Sequence, residues 1–89
     1  MTFERQVELR NRRGLHARAS AKFVTLAASQ SADVEVEKDG SSVCGTSIMG
    51  LMMLGAAFGD RVTIRASGDG AEETLGRLVA LVEGKFGED

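Results

Sequence analysis

The spacing of apolar residues switches repeatedly between a period of two and a period of three to four, in runs too short to fold alone. Phe3, Val7 and Leu9 alternate with polar residues, with Arg5 the exception on their side, which reads as a strand with one buried face. Asn11–Gly14 breaks the pattern as a loop, and a helix is expected from about Ala17 to Ser29. Ala17, Ala21, Val24 and Ala28 share one helical face and are expected to meet the core, whereas Arg18, Lys22, Thr25 and Ser29 lie opposite and should be solvated. Val34 and Val36 alternate with Glu35 and Glu37 as a second strand. Asp39-Gly40 signals a two-residue hairpin turn, because both residue types tolerate positive φ, and Ser41–Cys44 is then the returning strand.

Ser47 suits a helix N-cap, since its hydroxyl can accept from an otherwise unpaired backbone N–H. Ile48–Leu54 is read as a short helix with Gly55 as its stop. Val62, Ile64 and Ala66 give a fourth strand, and Gly68-Asp69-Gly70 turns the chain. A last helix starts near Ala71, with Leu75, Leu78, Val79, Val82 and Phe86 as its apolar stripe. Glu72 and Glu73 in its first turn and Lys85 near its end complement the helix dipole. The expected order is β-α-β-β-α-β-α in one domain, residues 1–89, an α+β fold. Helices should cover one face of a mainly antiparallel four-stranded sheet and leave the other face wet.

A chain of 89 residues buries roughly 60–65% of its unfolded surface, so a deep substrate cleft would consume much of the core. Surface chemistry is the better expectation. The net charge of −2, with both signs mixed, argues against nucleic acid as a partner. One cysteine, Cys44, allows no intrachain disulfide. No signal peptide is read at Met1–Arg10 and no apolar run is long enough to span a membrane, so a cytoplasmic location is expected.

Gly14-Leu15-His16-Ala17-Arg18 is the most informative segment, with Arg10, Arg12, Arg13 and Arg18 flanking the only histidine. His16 is placed at a helix start, where backbone N–H groups without helical partners form an anion site. Ala17 and Arg18 are the expected phosphate-binding residues, the latter through a guanidinium fork that matches phosphate geometry. Free imidazole titrates near ~6.5, so a neutral, nucleophilic form is plentiful near neutral pH. No metal centre is expected, with one His and one Cys far apart, and nothing local supplies a base for a hydrolase dyad.

The second unusual segment is Thr46–Leu54, where Met49, Met52 and Met53 exceed what one buried face of so short a helix requires. Exposed methionines adapt to differently shaped partners. Leu51 and Leu54 are read as core. Ser47 is read as a cap that could also carry a regulatory phosphate, tolerated by the helix dipole but hostile to an apolar docking face.

At these two segments the chain resembles the histidine-containing phosphocarriers, the HPr family, of the bacterial phosphoenolpyruvate-dependent phosphotransferase system. The resemblance rests on Gly-Leu-His-Ala-Arg at Gly14–Arg18 and Thr-Ser-Ile-Met-Gly-Leu-Met-Met-Leu at Thr46–Leu54, at matching separation and element order. It implies an open-faced β-sandwich with three helices on one side of the sheet. It implies phosphorylation of His16 on Nδ1 by Enzyme I, contact of Arg18 with the phosphoryl group, and onward transfer to EIIA-type proteins. Ser47 would be the target of an HPr kinase/phosphorylase, and Ile48, Met49, Leu51 and Met52 would lie in the docking patch. The chain would then be a stoichiometric relay without a cofactor, not an enzyme. Ala19 departs from the family's usual proline and adds a backbone N–H near the phosphate site. Together with the Ser47 context, Ala19 points to the alphaproteobacterial type, which works in regulatory or nitrogen-related branches. The runner-up is a binding module of the same fold that acts through its Met-rich helix and Ser47. A stand-alone hydrolase using His16 is the third reading.

Overall fold

The computed structural model describes residues 1–88. Four strands, β1 (Thr2–Glu8), β2 (Asp33–Lys38), β3 (Ser41–Cys44) and β4 (Arg61–Ser67), form one antiparallel sheet in the order β1-β4-β2-β3. Three helices accompany it: α1 (Ala17–Ala28), α2 (Ile48–Met53) and α3 (Ala71–Glu83). This is the expected open-faced β-α-β-β-α-β-α arrangement.

Alternation decides which face of the sheet is covered. Val7, Val34, Val36, Val62, Ile64 and Ala66 are buried and belong to the core. The opposite face carries Arg65, whose guanidinium reaches Glu4 at 2.9 Å and Glu37 at 2.6 Å. Register puts these groups together, because Arg65 pairs with Glu4 on one side and Glu35 on the other. Such exposed pairs add little stability, but buried they would be costly, so they mark the solvent side. The hairpin turns at Asp39 and Gly40, both at positive φ (51° and 83°), as the pair of residues suggested.

Two helical expectations need correction. The core face of α1 is Ala19, Ser20, Phe23 and Ala27; Ala17 and Ala28 are exposed, and Ala21 and Val24 are only half-buried. Alanine recurs at almost every angle of this helix, so it cannot define a face. Phe23, fully enclosed, carries most of the apolar area and orients the helix. The solvated set was read correctly, since Arg18, Lys22, Thr25 and Ser29 are all exposed.

The last helix stops at Glu83, so Lys85 and Phe86 are not part of it. Lys85, Phe86 and Gly87 instead form a left-handed turn, with φ of 60°, 54° and 75°. Phe86 is still buried, but from this separate turn. Its spacing of four from Val82 fits a helix stripe by coincidence. The enclosure of Phe23 gives a direct check: Phe23→Ala should cost ~3–5 kcal/mol of stability in urea unfolding, against under ~0.5 for Ala17→Ser. Similar losses for both would restore the alanine face.

Candidate functional site

The loop that carries His16 is pinned before the helix begins. Leu9 continues past β1 by bonding Asp60 and Gly59 through its backbone, each at 2.8 Å. Gly14 has φ of 60°, and a Cβ placed on it would lie 2.3 Å from the Ala56 carbonyl oxygen and 2.8 Å from Ala57 Cα. Only glycine permits that approach. The next residue, Leu15, donates its N–H to Ala56 O at 3.0 Å and buries its side chain. The histidine loop is thereby fixed to the segment that follows α2.

His16 is the N-cap of α1, with extended backbone (φ −76°, ψ 179°) and its carbonyl accepting from Ser20 N at 2.9 Å. Its Nδ1 accepts from the Arg18 backbone N–H at 3.3 Å. Its Nε2 lies 2.7 Å from Glu88 Oε2. A carboxylate accepts only, and a backbone N–H donates only, so these partners place the ring proton on Nε2 and leave the lone pair on Nδ1. The ring's side chain is 16% exposed, edged by solvent rather than packed into the interior. Among the described residues the backbone N–H groups of Ala17 and Ala19 have no acceptor. Arg18 N–H, between them, is spent on Nδ1, so the ring caps the helix start from which these two donors remain unpaired. Arg10, Arg12, Arg13 and Arg18 are exposed and make no ion pair among the described residues, so their charge is available to an anion.

Two residues of the site escaped the sequence reading. Asn11 is fully buried and donates through Nδ2 to Gly14 O at 2.8 Å and to Glu88 Oε1 at 3.1 Å. Glu88 is brought back by the left-handed turn, which Lys22 Nζ anchors by donating to Phe86 O at 2.7 Å. The expectation that nothing local supplies a base holds for the neighbouring sequence only, since the fold brings the distant Glu88 to the ring. Nothing in the pattern marked Glu88, because the apolar spacing carried the last helix through Phe86. Asn11 was read as ordinary loop. The pair does not make a hydrolase dyad: the other ring nitrogen faces a backbone N–H, and the nearby Ser20 hydroxyl is buried and bonded to Leu15 O at 3.2 Å.

The second segment lies where the reading put it. Ser47 caps α2 by accepting from Gly50 N at 3.0 Å and is half-buried. Ile48, Met49, Met52 and Met53 are exposed by 41%, 73%, 43% and 79%, which makes one side of so short a helix an uncovered apolar surface. Leu51 is not part of that surface: it is fully enclosed in the core, on the helix side facing the sheet, so its assignment to the docking patch is corrected. Phe58, in the segment after α2, is 62% exposed and was not foreseen. Among the described residues no group of three or more His, Cys, Asp or Glu could hold a metal ion, and no helix is long and apolar enough to cross a membrane.

A helix-capping imidazole with one edge open to solvent, on a small open-faced scaffold without a deep cleft, fits the class of group-carrying proteins that work at their surface. The family model described as the PTS HPr component phosphorylation site matches residues 3–84. The phosphocarrier protein HPr of Cupriavidus necator is 41% identical over 85 residues, covering 96% of each chain. The HPr of Neisseria meningitidis is 44% identical over the same length and coverage. The crystal structure of an HPr from Thermoanaerobacter tengcongensis superposes with a TM-score of 0.94 at 46% identity, covering 98% of each chain. The chain belongs to the HPr family, the phosphocarriers of the bacterial phosphotransferase system.

The carboxyl of Glu88 titrates below its ordinary value of 4.5. Burial opposes its charge, but donation from Asn11 and His16, with the charges of His16 and Lys22, outweighs that penalty. Its folded value is depressed, so the contact contributes fully above the unfolded value and fades as pH falls through the lower folded one. The 13C signal of the Glu88 side-chain carboxyl should titrate with its acid midpoint below 4.5. A midpoint at or above 4.5 would contradict this.

Proposed function

We propose that His16 accepts a phosphoryl group on Nδ1 from phosphorylated Enzyme I and passes it to EIIA-type proteins. The observation that carries this is the tautomer favoured by the site: Nδ1 carries the unprotonated lone pair, which accepts only a long 3.3 Å bond from the Arg18 N–H, at the same helix start as the unpaired N–H of Ala17. As Nδ1 attacks phosphorus, the bond to the donor atom breaks and its electron pair leaves with the donor. The ring keeps its Nε2 proton throughout. Helix-start N–H groups and the Arg18 guanidinium bind the phosphoryl oxygens. Phosphoryl transfer depends chiefly on positioning and charge, so a shallow site suffices when the partner supplies the other half.

Ile48, Met49 and Met52 are the docking residues in this reading, supported by their exposure, with Met53 and Phe58 as additions to the patch. Leu51 supports them from beneath. Ser47 is a regulatory phosphosite for an HPr kinase/phosphorylase, since a cap serine keeps a phosphate next to the helix dipole while charging the edge of the docking face. The finer assignment to the alphaproteobacterial, regulatory type rests on Ala19 and on the retained Ser47 context.

Incubation with Enzyme I and phosphoenolpyruvate should add one acid-labile phosphoryl group by mass. His16→Ala should abolish the gain, Ser47→Ala should keep it, and Arg18→Ala should slow transfer at least several-fold with the fold intact. A gain that survives His16→Ala would end the relay reading and favour the runner-up, a binding module that works through α2. Ser47→Asp retains a good cap but should weaken Enzyme I binding by ~1–2 kcal/mol, as a charge desolvated against apolar surface requires. Equal affinities in calorimetry would leave Ser47 a cap and nothing more.

A further inference from the structure

We propose that Glu88 is a positioning residue for the phosphoryl-accepting histidine: held by Asn11, its carboxylate keeps the His16 proton on Nε2 and balances the charge the ring gains when Nδ1 binds phosphorus. This deepens the relay reading and rests on it.

Three observations converge. The carboxylate is bound through both oxygens, Oε2 to the His16 ring at 2.7 Å and Oε1 to Asn11 at 3.1 Å. Asn11 is itself fully buried and bonded through Nδ2 to the Gly14 carbonyl of the same loop. An acid, an amide and the loop backbone thus form one connected chain that ends on Nε2. Strain in the segment that delivers Glu88 is the third observation. Lys85 and Phe86 both adopt positive φ, a conformation unfavourable for residues other than glycine. Burial of the Phe86 ring and donation from Lys22 to its carbonyl hold the turn closed. Without that turn the chain would continue α3 or enter solvent, and Glu88 would not reach the loop. The family match ends at residue 84, so this segment lies outside the matched residues.

The chemistry follows from the ring. A neutral imidazole with its proton on Nε2 becomes cationic when Nδ1 bonds to phosphorus, and part of that charge sits on the Nε2–H. Hydrogen bonds between charged groups are about twice as strong as neutral ones, so the bond to Glu88 strengthens as the P–N bond forms. The interaction is thus worth more in the transition state than before it, which is the condition for lowering a barrier. When phosphorus leaves for the acceptor, the electron pair returns to Nδ1 and the charge on the ring disappears. The proton stays on Nε2 in both directions, and Glu88 uses the nitrogen that the phosphoryl group does not.

The test uses the full chain in three forms: wild type, Glu88→Ala and Glu88→Gln. In 15N-resolved NMR of the unphosphorylated protein, wild type should show one ring tautomer, with a slowly exchanging Nε2 proton. Glu88→Ala should lose that protected proton. In transfer from Enzyme I, Glu88→Ala should lower kcat about tenfold while KM for Enzyme I stays within about twofold, because Glu88 lies off the docking helix. Glu88→Gln, able to accept from Nε2–H but uncharged, should keep more of the ring-proton protection than of the rate.

Unchanged ring-proton exchange and unchanged kcat in Glu88→Ala would overturn the proposal. So would a faster kcat, which would make the segment an obstruction, or a lower melting temperature with kcat intact, which would make it structural only. Wild type that gains no acid-labile group on His16 would overturn the relay reading, and the proposed charge balance with it, even with the NMR contact present. Wild type that relays no faster than Glu88→Ala would overturn the Glu88 proposal alone.

Discussion

The approach of the Gly14 backbone to Ala56 and Ala57 is the constraint on which the site depends. A methyl group at Gly14 would stand 2.3 Å from the Ala56 carbonyl, so two loops distant in sequence meet at backbone range. One loop delivers His16 to the start of α1, and the other leaves the end of α2. Their contact ties the loop that carries His16 to the one that follows the exposed methionines. A partner seated on the apolar side chains of α2 would therefore find the imidazole at the margin of its footprint. Neither a pocket nor a deep cleft is needed for that geometry, which is why a chain with so thin a core can hold it.

Charge is distributed to match. The open face of the sheet gathers Glu4, Glu35 and Glu37 around the single Arg65, which leaves this cluster net acidic. At the opposite layer, Arg10, Arg12, Arg13 and Arg18 stand exposed around the histidine loop and are paired with no carboxylate among the described residues. The molecule is acidic overall, with a net charge of −2, yet its cationic side chains are concentrated where an anion would arrive. Glu88 is the exception, and it spends its charge on Asn11 and His16 rather than facing the helix start.

What the sequence revealed depended on whether local pattern or long-range closure set the structure. The strands were legible because alternation survives in short runs: Val34 and Val36, or Val62, Ile64 and Ala66, leave no other face to bury. Asp39-Gly40 was legible because a two-residue turn demands positive φ from both. The α1 face was misjudged because alanines surround the helix and one aromatic residue, Phe23, outweighs them. Leu51 and its exposed neighbours share one short apolar run, and only the packed structure separates them. The Asn11–Glu88–His16 chain spans 77 residues and depends on two side-chain-bearing residues adopting left-handed backbone. No periodicity encodes such a turn. It is selected by what Phe86 and Glu88 gain on arrival.

Ala19 shows how the same site tolerates a local departure. Proline in the first turn of a helix fixes the entry angle and removes a donor. Alanine leaves the entry to be fixed by other means, and here His16 supplies them, capping the helix through Nδ1 while Asn11 and Gly14 tie down the preceding loop. The freed N–H of Ala19 has no acceptor among the described residues and belongs to the same helix start as that of Ala17. Ala19 is fully enclosed, so this donor is not open to an incoming anion, and leaving it unspent costs some stability. The rigidity that proline would give to one residue is thus spread over a glycine contact, a buried amide and a capping ring, which together fix the place of His16 at the helix start.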